Sequence, residues 1–163
     1  MARSHHHSLA GFTLLEVITV LAVTAILAAI GWPRLGDLIA RVELAGAADM
    51  LRSDIRRAQA AARGLGQPYV LHIDPVTGGY TTGPVDEPGR QHQLPSRVTF
   101  GTPDAGDPDG VTFRDNTARF GPRPGLQGSF GAVTIRSRAG ARRITVSITG
   151  HTRITTWDGR EWN

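Results

Sequence analysis

Cysteine and lysine are both absent from the 163 residues. Without cysteine there is no disulfide framework and no thiolate metal site. That does not exclude an oxidising compartment; it means only that nothing there depends on a bridge. Without lysine a G-x-x-x-x-G-K-[ST] phosphate loop cannot be completed, which excludes an ATP site of that kind. All 18 basic residues are arginine, and the formal charge is +4. A basic balance invites a nucleic acid or an anionic membrane, but net charge speaks first to solubility. Arginine without lysine, beside many alanines and glycines, fits a GC-rich coding sequence in which arginine fills ordinary surface positions.

Charge is nearly missing from one long stretch. From Phe12 to Trp32 the chain reads FTLLEVITVLAVTAILAAIGW, with Glu16 its only ionisable residue. About 20 helical residues span about 30 Å, the hydrocarbon thickness of a bilayer. Core helices that are apolar all round are usually shorter. Trp32 and Arg34 stand where an interfacial aromatic and a basic anchor belong. Thr13, Thr19 and Thr24 can return their hydroxyls to the helix backbone. Residues 12–32 are therefore expected to form a transmembrane helix. A carboxylate inside it needs a partner or a proton, so Glu16 marks a function. The plainer alternative is a carboxylate snorkelling to the membrane surface. Residues 1–11, MARSHHHSLAG, are short and polar with one arginine, and no A-x-A cleavage site closes the apolar run as in a secretory signal. The histidine triplet His5–His7 lacks the arranged shell of a metal site.

Pro33 is expected to kink the helix, after which helical spacing resumes over 33–66. Leu38, Val42, Ala45, Ala48, Leu51, Ile55, Ala58 and Ala62 recur at three- and four-residue steps, the apolar face of an amphipathic helix. Asp37 with Arg41, Asp49 with Arg52, and Asp54 with Arg57 have the spacing of ion pairs on its other faces. Gly64, Gly66 and Pro68 end it. Strand signals follow: Tyr69–Ile73, then the turn Asp74–Gly79 and a return through Tyr80–Thr82. Val98–Phe100, Val111–Phe113 and Ala132–Ile135 are further short strands. Ile144, Val146 and Ile148 alternate with Thr145, Ser147 and Thr149, and 152–157 returns after Gly150-His151. Residues 83–95 and 101–110 read as loops rich in Gly, Pro and Asp. The expected fold class is α+β: a long N-terminal helix packed on a small antiparallel β domain, residues 67–163.

Gly11-Phe12-Thr13-Leu14-Leu15-Glu16 followed by an apolar helix resembles the class III signal of type IV pilins and type II secretion pseudopilins. The stretch LRSDIRRAQAAARGLGQPYVLHIDPVTGGY, with VTFRDNTARFG and ITVSITGHTRI, is similar to the GspH/FimT minor subunits. The resemblance implies a β domain of two sheets on the helix. It implies prepilin cleavage between Gly11 and Phe12, with residues 1–11 as leader and Phe12 as the N-methylated terminus. It places Glu16 on the glutamate of that motif. The amine of a neighbouring subunit's Phe12 is the natural partner for this carboxylate, and the pair would set the register of assembly. A structural subunit of the pseudopilus is implied, not an enzyme, with no catalytic residue, cofactor or metal. Its partners would be other pseudopilins or pilins, the prepilin peptidase, the bacterial inner membrane and secreted protein cargo. The chain would cross that membrane once, N-terminus cytoplasmic and C-terminal domain periplasmic.

The alternative is a FimT-like minor pilin of a type IV pilus, acting in pilus assembly or DNA uptake. Some FimT-like minor pilins bind DNA through a G-R-x-R pattern near the C-terminus; in Gly150-His151-Thr152-Arg153 only the glycine and the last arginine match it. Candidate DNA contacts are Arg136, Arg138, Arg142, Arg143 and Arg153, with Phe120 or Trp157 to stack on bases. A solvated β surface explains the same arginines. The loop Asp104–Gly110 lacks the D-x-D-x-D-G spacing and distal glutamate of a calcium loop. His72, Asp74 and His92 are the one near grouping of titratable residues in the β region, and they read as surface residues near a turn, without a catalytic motif.

Overall fold

The structure, a computed structural model, describes residues 13–103, 109–123 and 130–163, the side chains of 30–34 excepted. One helix, α1 (Leu14–Leu65), precedes eight strands. The chain divides into two units, Met1–Gly36 and Asp37–Asn163. In the first, Leu14, Leu15, Ile18, Leu21, Ile26 and Leu27 are all exposed. The Thr19 and Thr24 hydroxyls donate to the carbonyls of Leu15 and Val20, both at 2.7 Å, as expected of threonines in an apolar helix. Among the described residues no helix is long and apolar enough to cross a membrane. The expected span and the expected kink both reach outside that set, at Phe12 and at the side chains of 30–34, Pro33 included.

In the second unit the strands are β1 (Tyr69–Asp74), β2 (Gly79–Pro84), β3 (Arg90–Gln93), β4 (Thr99–Phe100), β5 (Thr117–Phe120), β6 (Gly131–Ser137), β7 (Gly140–Val146) and β8 (Thr152–Trp157). They form two four-stranded sheets, ordered β3-β2-β1-β5 and β4-β6-β7-β8. Every pairing is antiparallel. The core joins one stripe of α1 to one face of each sheet. Leu44, Ala48, Leu51, Ile55, Ala58 and Ala62 meet Leu71, Ile73 and Phe120 of the first sheet and Phe100, Val133, Ile135 and Ile144 of the second. Alternate residues of a strand face opposite ways, so each sheet keeps a polar outer face.

Six expectations need correction. Residues 90–93 lie inside the expected 83–95 loop yet form β3, which pairs with β2 from Gly79↔Gln93 to Thr82↔Arg90. Its sequence, RQHQ, is polar because it is an edge strand with three exposed residues. Val111–Phe113 makes only a bridge from Val111 to Val133. Ile148 is 63% exposed and lies beyond β7. The buried stripe of α1 begins with Ala40 and Leu44, while Leu38 and Val42 face outward at 57% and 64% exposure. Here both neighbouring stripes are apolar, and contacts from the second sheet choose between them. The Ser137 hydroxyl reaches the Ala40 carbonyl at 3.5 Å, and Arg138 pairs with Asp37 at 3.4 Å in place of the expected Arg41. The sixth correction is Asp54, expected on the solvated face and in fact 5% exposed.

Candidate functional site

Residues Thr13 to Glu16 start the helix. The Thr13 hydroxyl accepts from the Glu16 amide at 3.2 Å, so Thr13 acts as the N-cap. Thr-x-x-Glu is also the spacing of a capping box, a local role for these two residues that the sequence reading missed. Glu16 itself is exposed. Gly11 and Phe12, the expected processing residues, lie outside the described residues.

A polar cluster sits between α1 and the first sheet. The Tyr80 hydroxyl donates to Asp54 Oδ2 at 2.8 Å. His92 Nδ1 stands 3.4 Å from the same oxygen, and Arg57 lies 3.5 Å from Oδ1. A carboxylate only accepts, so the His92 tautomer with its proton on Nδ1 suits this contact. In the neutral ring Nε2 then accepts from the Thr82 hydroxyl, 3.3 Å away. The Tyr80 and His92 rings stack, 4.8 Å apart and within 4° of parallel. Burial, then the bond and charge of Asp54, push the Tyr80 phenol above its ordinary range. His92 therefore pins the edge strand β3 to the helix and is not a surface residue. Gln59, also buried, ties α1 to the second sheet by donating to the Gly150 carbonyl at 3.0 Å. Gly150 has φ +81°, a turn conformation that suits glycine.

The five candidate arginines separate. The β6–β7 register pairs Thr134 with Arg143 and Arg136 with Ala141, and the β7–β8 register pairs Thr145 with Arg153. Arg136, Arg143 and Arg153 therefore share the outer face of the second sheet. Arg142 pairs with Ile135 and Thr156, which places it on the opposite face. Arg138 lies in the β6–β7 turn with Asp37. The Arg143 guanidinium lies 4.0 Å over the Trp162 ring, and its Nε donates to the Thr134 hydroxyl at 3.3 Å. Trp157 packs on Trp162 at 5.4 Å between centroids. Phe120 is buried at 4% exposure and cannot stack on a base.

His72, Asp74 and His92 do line one cavity, of about 260 Å³, but the lining holds neither serine nor cysteine. His72 Nδ1 bonds the Thr117 hydroxyl at 2.9 Å. Asp74 accepts from the Thr77 hydroxyl at 2.7 Å and from the Val76 amide at 3.0 Å. These bonds, led by the Thr77 hydroxyl, hold its carboxyl below the usual carboxylate range. Among the described residues no three histidines or carboxylates are placed to hold a metal ion. Most of the loop 104–110 lies outside those residues.

Residues 8–32 match the prokaryotic N-terminal methylation motif. No curated protein matches the chain. Among solved structures, the minor pseudopilin EpsH from the type 2 secretion system of Vibrio cholerae superposes with a TM-score of 0.52 at 13% identity, over 70% of this chain and 97% of that one. The type IV minor pilin FimU of Pseudomonas aeruginosa gives 0.50 at 18% identity, over 76% of this chain and 94% of that one. The fold is pilin-like. The methylation motif and the pilin-like fold agree with the expected resemblance to pilin-type subunits.

Within this pilin-like fold the sequence reading missed Asp54, Gln59 and the pairing of Tyr80 with His92. A signal for the first was present. Leu51, Asp54, Ile55 and Ala58 stand at i, i+3, i+4 and i+7, so Asp54 occupies an apolar position of the stripe. Gln59 follows Ile55 by one turn on the same side. Nothing local pointed to Tyr80 and His92, which meet only through the β2–β3 register.

Proposed function

We propose that this chain is a minor pseudopilin, a structural subunit of a type II secretion pseudopilus that helps export folded proteins across the outer membrane. The observation that carries this reading is the methylation motif at 8–32 joined to a pilin-like fold. In it, prepilin peptidase cuts after Gly11 and Phe12 becomes the methylated terminus. Residues 12–32 anchor the subunit in the inner membrane, with the β domain in the periplasm. Cleavage creates an amine on Phe12, and Glu16 of one subunit meets that amine on the next. A buried ion pair is a weak source of net stability, but breaking one is costly, which suits a device that sets register. Among the described residues no cation pairs with the Glu16 carboxylate, leaving it open for a neighbour.

Mass spectrometry of the purified chain should find Phe12 at the N-terminus with one added methyl group; an intact 1–11 segment overturns the processing step. Glu16→Ala should still be cleaved and membrane-bound but drop out of isolated filaments. Normal incorporation of that variant overturns the register role. A second reading, a type IV pilus minor pilin, is favoured by the likeness to FimU. Deleting the gene separates the two: loss of exoprotein release supports the secretion reading, and loss of twitching or DNA uptake supports the pilus.

A further inference from the structure

The outer face of the second sheet carries an open basin of about 690 Å³ that the assembly reading does not use. Phe130 and Ile148 stand at its rim, 69% and 63% exposed. Phe130 precedes β6 and Ile148 follows β7, and the Gly131↔Val146 pairing brings those two strand ends side by side. Thr134, Arg143 and Thr145 also line the basin. Arg143 is held in place by Trp162 beneath it and by the Thr134 hydroxyl. A guanidinium already fixed loses little further freedom when a ligand binds. Arg153, opposite Thr145 on β8, extends the positive surface, and Arg136 continues it along β6.

The four strands of this sheet contain no aspartate or glutamate. Among the described residues no carboxylate forms an ion pair with Arg136, Arg143 or Arg153. Asp158, just after β8, is occupied in its own turn, accepting from the amides of Arg160 and Glu161 at 2.8 Å. The face thus joins two exposed apolar side chains to a row of arginines, Arg143 held in place among them, that pairs with no carboxylate of the described residues.

We propose that this basin docks an acidic, extended segment of a partner polypeptide. Its carboxylates meet Arg143 and Arg153, and a bulky apolar side chain lodges against Phe130 and Ile148. Charge complementarity selects the sign of the partner, and the apolar rim selects a polypeptide. A nucleic-acid single strand needs open aromatic platforms along the arginine row. Here the Trp162 face is covered by Arg143, and Trp157 is packed on Trp162. Of the rim, Ile148 offers a base no stacking surface and Phe130 offers a single one, where a strand tracked along the arginine row needs several. The inference stands whether or not the chain serves a secretion filament.

The test is fluorescence anisotropy on the full chain in detergent micelles, with a labelled peptide of glutamates around one central leucine. Three further probes are the same peptide with glutamine for glutamate, the same peptide with serine for leucine, and oligothymidylate. The acidic leucine peptide should bind, and each altered peptide should bind about tenfold more weakly. Arg153→Gln and Phe130→Ser, both exposed positions, should each weaken it by a similar factor while leaving the melting temperature unchanged. No binding of the acidic peptide, equal binding of the glutamine peptide, or indifference to Phe130→Ser overturns the proposal. So does tighter binding of oligothymidylate, which assigns the face to nucleic acid. Self-association abolished by Phe130→Ser assigns it to a second copy and overturns a foreign partner.

Discussion

The Thr152 hydroxyl is buried with no hydrogen-bond partner among the described residues. A hydroxyl taken out of water unpaired is destabilising, and a methyl group of the same shape is not. Thr152→Val is therefore expected to stabilise the protein by about 1 kcal/mol, read as a higher denaturation midpoint; a loss of stability would show that the hydroxyl has a partner. Tyr80 gives the opposite case. Its phenol is raised above the ordinary value by burial and by Asp54. A group raised on folding stabilises below its unfolded value, and that contribution falls away as pH climbs past about 10. Tyr80→Phe should cost about 1.5–3 kcal/mol at neutral pH. It should also flatten the alkaline decline seen in denaturant titrations, and an unchanged decline would refute the assignment. Asp74 works in the acid direction. Its carboxyl is lowered chiefly by the Thr77 hydroxyl, so its contribution is present above about pH 4 and is lost below it. Thr77→Val should move the Asp74 titration, followed by NMR, back toward the ordinary carboxylate value.

Among the elements, the β2–β3 hairpin carries a close backbone approach. A Cβ built on Gly83 would lie 2.6 Å from the Gly89 Cα. The Gly89 Cα is backbone and the Cβ is placed rigidly by its own backbone, so neither can move aside cheaply. Gly83→Ala is expected to cost about 1–3 kcal/mol, and an unperturbed melting curve would contradict that close approach. The elements also differ in how far sequence reveals them. The β7–β8 hairpin is legible because apolar and polar residues alternate with the pleat. Strand β3 is not, since an edge strand with an exposed face needs no apolar pattern. The start of the amphipathic face of α1 is ambiguous for another reason. Leu38 and Val42 extend the stripe as well as Ala40 and Leu44 do, and only Ser137 and Arg138, distant in sequence, decide the rotation. Glu16 was legible as a position, while its cap partner Thr13 passed for an ordinary membrane threonine. The shared arginine face depends on strand register, which adjacent residues do not specify.

For the whole molecule, one helix carries polar ties to both sheets: Asp54 to Tyr80 and His92 in the first, and Gln59 to Gly150 in the second. Removing Asp54 strands a tyrosine hydroxyl and a histidine N–H in the interior. Asp54→Ala should cost about 2–6 kcal/mol, about 1–3 for each buried donor left unpaired, more than Tyr80→Phe, because it removes the acceptor that both donors share. The same placement bears on how the protein comes apart. A four-residue edge strand would ordinarily fray well before the body of the domain, so its amides would exchange with solvent quickly. Here β3 cannot peel away without leaving a buried carboxylate short of a donor on the helix. Its amide at His92 should therefore exchange only with global opening, on the same free energy as the centre of the first sheet, which makes the polar edge of the domain one of its last parts to let go.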